Sequence, residues 1–359
     1  MVMVKKALQS ILMPLIAIFI SMIVGGIVIL ITAKQNPIYA YIALFTGAYG
    51  NLMNFATTLT NAIPLIITGL GVAIAFSSGL FNIGAEGQFW IGAIVATYLG
   101  YQIKGLPWYL HIPLIIVCAM IAGALWGGLV PGLAKVYTGA HEVITTMMMS
   151  YIAIYFSHYL LEGGPMMDKG TIPQSPLIQD SAKLSILVPN TQLSGGLFIA
   201  ILAVVAVYIL MYKTTIGYEL RAVGFNMKAA RYAGINVARK LVLAMGLSGA
   251  FAGLAGAVQI IGVQHRLYDS FTSGYGYTAI VVALLANNNP IGVVIAALFL
   301  AGLSTGAQEM QMQTNISGQL ADVVVGLIIF FIAIEELYRI IMEKIKTRKS
   351  KLEPVGGQE

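Results

Sequence analysis

The chain has 359 residues, of which 58% are apolar and only 9% charged, with a mean hydropathy of +0.85. Soluble domains carry roughly 25% charged residues, so this composition excludes one and points to a protein built into a membrane. The formal net charge is +6, but the basic residues flank long apolar stretches, where they mark membrane orientation; no nucleic-acid partner is expected.

A helix that crosses a bilayer needs about 20 predominantly apolar residues. On that measure the expectation is an all-α, polytopic transmembrane bundle of about ten spans, near 8–32, 59–80, 84–102, 111–134, 142–161, 197–212, 241–262, 275–287, 291–307 and 320–338. The first follows Lys5 and Lys6 and is too long for the apolar region of a secretory signal, so it reads as a retained helix. Residues 36–54 are mildly apolar, with Tyr39, Tyr41, Tyr49 and Phe55, and suit a segment near the headgroups. The eighth stretch ends in Asn287-Asn288-Asn289-Pro290 and is too short to cross alone, which predicts a broken or re-entrant pair with the ninth.

With the N-terminus inside and the spans alternating, 15 of the 20 Lys and Arg fall on the cytoplasmic side and 5 outside, and the C-terminus returns to the cytoplasm. The largest cluster is the loop 213–240, with Lys213, Arg221, Lys228, Arg231, Arg239 and Lys240 against Glu219. A short helix is predicted inside it, with Asn226 as its N-cap, Met227 to Ala233 as its body and Gly234 ending it at positive φ. Such a capped helix is a candidate dock for a soluble partner; a solvated loop that only sets orientation explains the same charges. The longest external loop, 162–196, holds Pro165, Pro173, Pro176 and Pro189, and reads either as an ordered non-helical cap or docking surface or as a plain linker. Beyond residue 344 the chain is a charged cytoplasmic tail, and the whole of 1–359 reads as one transmembrane domain.

Polar residues within apolar surroundings are the remaining signals. Asn82, Glu86 and Gln88 stand with Gly79, Gly84 and Gly87 between the second and third spans, where a broken helix is plausible. They are candidates for a polar patch on a solute path, and a turn that merely starts the third span is the alternative. Asp322 is a further path candidate, with interfacial snorkelling as its alternative. His141-Glu142-Val143-Ile144-Thr145 lacks the second histidine of a zinc-protease helix, so no metal is expected; Glu142 suits the positive end of a helix dipole. Met147, Met148 and Met149 read as adaptable packing. Gly246, Ser248, Gly249, Ala250, Gly253, Ala255, Gly256 and Ala257 make the seventh span a close-packing helix. The single cysteine, Cys118, excludes an intrachain disulfide. No G-x-x-x-x-G-K-[ST] loop and no Ser/His/Asp set occur, so no catalytic residue and no cofactor are expected, and any ATP driving this chain would be bound by another.

Three ordered motifs, Gly79–Gly92 (GLFNIGAEGQFWIG), Gly139–Thr146 (GAHEVITT) and Gly217–Gly234 (GYELRAVGFNMKAARYAG), closely resemble permease subunits of bacterial ABC importers in the branched-chain amino acid and simple-sugar permease superfamily. NIGAEGQ and HEVITT look like its nucleoside-type branch. The resemblance implies a non-catalytic translocation subunit in the cytoplasmic membrane. It would work with an ABC ATPase, a second permease chain in a heterodimer, and an external solute-binding lipoprotein. It also implies that Gly224, Asn226, Met227, Ala229, Ala230, Arg231 and Gly234 form the loop that docks on the ATPase. Import of a simple sugar or a branched-chain amino acid is the alternative within the superfamily, and an ATP-independent secondary transporter the alternative outside it.

Overall fold

A computed structural model describes residues 19–170, 172–269, 271–314 and 316–330. Among these the regular structure is helical: α1 (Phe19–Thr32), α2 (Pro37–Tyr49), α3 (Leu52–Ser77), α4 (Ala85–Gln102), α5 (Trp108–Thr138), α6 (Glu142–Leu161), α7 (Gly196–Lys213), α8 (Thr215–Phe225), α9 (Met227–Tyr232), α10 (Val237–Gln264), α11 (Tyr275–Leu285), α12 (Pro290–Gln313) and α13 (Gly318–Phe330). Six helices, α3, α5, α6, α7, α10 and α12, are long and apolar enough to cross a bilayer. The bent pair α1 and α2, turned by 117°, raises the number to seven if counted as one span.

The ten expected stretches meet this architecture unevenly. Those from 59–80 to 241–262 and the ninth each coincide with a helix, but two of the expected crossings fall short of a full apolar one. In α4, Glu86, Gln88 and Gln102 dilute the apolar content of its 18 residues. At 11 residues, or about 16 Å at 1.5 Å per residue, α11 is half a crossing. The parts of the first and last stretches before residue 19 and after residue 330, with the cytoplasmic tail, lie outside the described residues. Between α11 and α12 the chain turns through Asn287 and Asn288, both at positive φ (49° and 58°), a conformation that asparagine tolerates better than most residues. The Asn289 side chain then accepts the Ile291 N–H at 2.9 Å and starts α12.

The chain divides into two compact units, one taking in the described residues up to Ala48 and from Leu303 onward, the other Tyr49–Gly302. In the first, the Tyr41 hydroxyl donates to the Met22 carbonyl at 2.7 Å. A Cβ on Gly306 would lie 2.1 Å from the Leu44 carbonyl oxygen, so α2 and α12 meet backbone to backbone.

The second unit is organised around α10, which packs against α3, α4 and α5. Its small residues do what their spacing predicts. A Cβ on Gly249 would stand 2.2 Å from the Gly123 carbonyl oxygen, one on Gly256 2.0 Å from that of Phe89, and one on Gly92 2.1 Å from that of Gly253. Only bare backbone lets these helices approach so closely. Among its described residues, the segment 162–196 has one short helical turn, at Asp180–Ala182. Ser175 N–H donates to the Leu267 carbonyl (2.7 Å), Ile178 N–H to that of His265 (3.0 Å) and Gln179 N–H to that of Gly100 (2.8 Å). The segment is thereby fastened to the ends of α4 and α10 that lie away from the basic loop.

Candidate functional site

Two parts of the second unit carry the polar residues singled out by sequence. The first lies where α3 gives way to α4. The helix stops at Ser77, Gly79 takes φ +76°, and residues 80–84 run without helix to Ala85. A Cβ on Gly79 would stand 3.3 Å from the Cα of Gly224, at the end of α8, so this point is level with the basic loop. Three residues later the Asn82 side chain donates to the Ser248 hydroxyl at 2.8 Å. Ser248 is 11 residues into α10, about 17 Å along it, so the non-helical stretch has turned back into the bundle. The predicted helix break is there, and α4 begins inside the bundle.

Asn82 is fully buried and Gln88 is 1% exposed. Their side chains satisfy each other: Asn82 Nδ2 donates to Gln88 Oε1 at 3.0 Å, and Gln88 Nε2 to Asn82 Oδ1 at 3.3 Å. Asn82 Oδ1 also accepts the Gly84 N–H, Thr146 Oγ1 the Ile83 N–H, and Ser150 Oγ the Gly87 N–H. Non-helical backbone at this depth survives because these side chains pair its polar groups. Glu86 is 2% exposed and serves a different helix. One carboxylate oxygen accepts the Thr272 hydroxyl at 2.5 Å and the other the Gly276 N–H at 2.7 Å. Thr272 and Gly276 flank the start of α11, so Glu86 caps it and sits at the positive end of its dipole. The helices α4 and α11 therefore begin beside one another inside the bundle. Asp322 is exposed on α13 and belongs to the first unit.

The second part is the basic loop. Asn226 takes φ −161° and ψ 105°, and its side chain accepts the Lys228 and Ala229 N–H groups, both at 3.0 Å, which caps the six-residue α9 as predicted. Gly234 has φ +83° with open space around it. Ala230 is buried at 4% and anchors α9, while Asn226, Met227, Ala229 and Arg231 point outward. Phe225 and Tyr232, at 89% and 95%, are the most exposed large apolar side chains described. Gly224 ties the platform to α3, since a Cβ there would stand 2.1 Å from the Ser77 carbonyl oxygen. An ion pair between Lys240 and Glu219 and the stacking of Arg221 over Tyr212 (5.0 Å) brace the loop.

In the segment 162–196, Lys183 holds the Asp180 carboxyl below its ordinary range through a 2.7 Å hydrogen bond. Burial, with Lys183 nearby, holds His265 below the usual histidine value. The Lys135–Glu142 ion pair (2.7 Å) joins α5 to the first residue of α6. Sequence reading missed His158, whose Nε2 lies 2.8 Å from an Asp269 oxygen, with Glu162 close enough for the three to offer ligand atoms to one cation. The i, i+4 spacing of His158 and Glu162 was visible, but a partner 107 residues further on was not.

Six helices long and apolar enough to cross a bilayer, with large apolar side chains exposed on them, define a multi-pass membrane protein. The chain belongs to the family described as "Branched-chain amino acid transport system / permease component", whose model matches residues 54–333. It is similar to the guanosine ABC transporter permease protein NupP of Bacillus subtilis, 38% identical over 96% of this chain and 99% of that one. It is also similar to the nucleoside ABC transporter permease protein NupB of Lactococcus lactis (38%; 95% and 96%). A third relative is the glucose ABC transporter permease protein TsgB13 of Haloferax volcanii (34%; 91% and 88%). No solved structure matches the chain.

Proposed function

We propose that this chain is the permease subunit of an ABC importer that carries nucleosides into the cell. The observation that carries the reading is the 38% identity, across nearly the whole chain, to permeases named for guanosine and for nucleosides. It would act with a separate ATPase, a second and different permease, and an external lipid-anchored binding protein that delivers the solute. In this reading the basic loop is cytoplasmic and both termini lie inside. Ten crossings result when α4, α11 with α12, and the stretches at each end of the chain are counted. The exposed Phe225, Met227, Arg231 and Tyr232 on a capped, Gly224-anchored platform suit a groove on the ATPase. Closure of the nucleotide-binding subunits would pull on α9, and through Gly224 on the end of α3, tilting the spans between inward- and outward-open states.

The experiment is uptake of tritiated guanosine and adenosine into proteoliposomes holding the full assembly. The reading expects ATP-dependent accumulation that excess unlabelled nucleoside abolishes and that glucose and leucine leave intact. A second reading, sugar import, is favoured by the glucose permease relative and would show the reverse pattern.

A further inference from the structure

The exposed surface of α6 differs from that of its neighbours. Along the middle turns of α5 the outward side chains are aliphatic, Leu114, Val117, Ile121 and Leu125, with Trp108, Tyr109 and Tyr137 confined to its ends; on the outer half of α7 they are Phe198, Ile201, Leu202 and Val205. Such faces suit acyl chains. On α6 one half of the exposed face, Ile152 and Phe156, is of that kind, but the other half carries Tyr151 and Tyr155, 45% and 66% exposed. Ser150 pairs with Gly87 in the first turn of α4, and Tyr151 is nine residues into the 20-residue α6, near its middle.

Phenolic hydroxyls at that level need a polar neighbour, because lipid offers none. Tyr41 and Tyr275 have one, donating to Met22 and Asn61, and the exposed Tyr98, Tyr159, Tyr208 and Tyr212 stand within five residues of a helix end, where headgroups and water can serve a hydroxyl. Tyr151 and Tyr155 make no hydrogen bond among the described residues. Their rings lie near-parallel, with centroids 6.5 Å apart and planes 26° apart, and His158 continues the row at 6.1 Å from Tyr155. Tyr277, on the first turn of α11 and 39% exposed, follows Gly276, whose N–H donates to Glu86, and Gly87, the residue after Glu86, donates to Ser150, the neighbour of Tyr151. A row of aromatic faces thus runs from the paired starts of α4 and α11 to the His158–Asp269 contact.

We propose that Tyr151, Tyr155 and Tyr277 form the wall of the solute path, on which the planar base of a nucleoside stacks while its ribose hydroxyls meet the phenols; this rests on the nucleoside reading above. Aromatic faces hold heteroaromatic rings without demanding one base, whereas a hexose offers no such face. Polarity in the sequence marks Asn82, Glu86 and Gln88 for this role, but the hydrogen bonds they make with neighbouring groups hold the starts of α4 and α11 in place beside the wall.

The test uses the full assembly in proteoliposomes. Tyr151→Ala and Tyr155→Ala should each cut initial guanosine uptake about tenfold, with Tyr→Phe retaining most of it. Ile152→Ala and Phe156→Ala should transport as wild type, and solute-free ATP hydrolysis should be unchanged throughout. Because Cys118 is the only cysteine, Cys118→Ala gives a clean background for thiol labelling. There, Tyr151→Cys and Tyr155→Cys should react with a charged methanethiosulfonate and be protected by guanosine, while Ile152→Cys and Phe156→Cys stay inert. Wild-type uptake by the alanine variants, or labelling no faster than at Ile152→Cys, would assign the face to lipid and overturn the proposal. Labelling of the isolated chain that vanishes in the assembly without solute would assign it to the partner permease and overturn the proposal equally. A wild-type assembly that imports glucose but no nucleoside would instead sink the underlying function, and the nucleoside wall with it.

Discussion

Glu86 offers the sharpest test of how the starts of α4 and α11 are held. In Glu86→Ala the Gly276 N–H, buried at the start of α11, loses its acceptor, and the half-buried Thr272 hydroxyl loses its own. An orphaned buried polar group costs roughly 1–3 kcal/mol, the hydroxyl falling at the low end. Loss of the acid from the dipole of α11 adds about 0.5–1 kcal/mol, giving about 2.5–5 kcal/mol in all. Glu86→Gln keeps an acceptor for Gly276, and the threonine hydroxyl can turn to accept from the new amide, so only the charge-assisted part is lost, about 1 kcal/mol. At roughly 2 °C per kcal/mol for a unit of this size, the expected falls in apparent Tm are about 5–10 °C for alanine and about 2 °C for glutamine. The assay is thermal unfolding of the purified chain in one detergent, with exposed Glu162→Ala as the control. An alanine variant within 1 °C of wild type, or one no worse than glutamine, would refute the capping role.

Three further outcomes follow from the packing and the loops. Gly92→Ala places a Cβ 2.1 Å from the Gly253 carbonyl oxygen, forces α4 from α10 and should cost about 1–3 kcal/mol, while Gly170→Ala, which meets nothing within 4 Å, should leave Tm unchanged. Asn226→Ala removes two cap hydrogen bonds from α9, costs that helix about 1 kcal/mol, and should lower solute-stimulated ATP hydrolysis while leaving the chain's Tm nearly unaltered. Because His265 binds its proton less readily folded than unfolded, the stability tied to its neutral form is present above about pH 6.5 and is lost as the pH falls below it. His265→Asn, which suits the left-handed φ of 58°, should flatten the dependence of Tm on pH between 7 and 5.

Much of this was legible from short-range chemistry. The Asn226 cap, the α9 body and the positive φ of Gly234 are local, and local rules place them correctly. The close approach of α10 was written in its small residues, though not which helices it meets, because small-xxx-small spacing names a face and no partner. The break between Gly79 and Gln88 was visible from its glycines and polar side chains. What the break is for was not. Asn82 and Gln88 are six residues apart and pair with each other, but Ser248 and Gly276 lie far along the chain, and nothing near Glu86 announces that it caps another helix. The apolar ruler likewise found 84–102, and found 275–287 too short to cross alone, but hydropathy registers that residues are apolar and not that α4 and α11 start beside one another. The tyrosines of α6 escaped for the same reason: Tyr151 and Tyr155 gain meaning only when their hydroxyls are found without partners.

The most direct test of the account is ATP hydrolysis by the reconstituted assembly of both permeases, ATPase and binding protein, with solute added, comparing wild type with the double variant Ala230→Asp plus Gly234→Pro. Guanosine or adenosine should raise hydrolysis in the wild type, glucose and leucine should not, and the double variant should lose the stimulation. Hydrolysis indifferent to every solute and to both substitutions, in an assembly shown to be intact, would contradict the account.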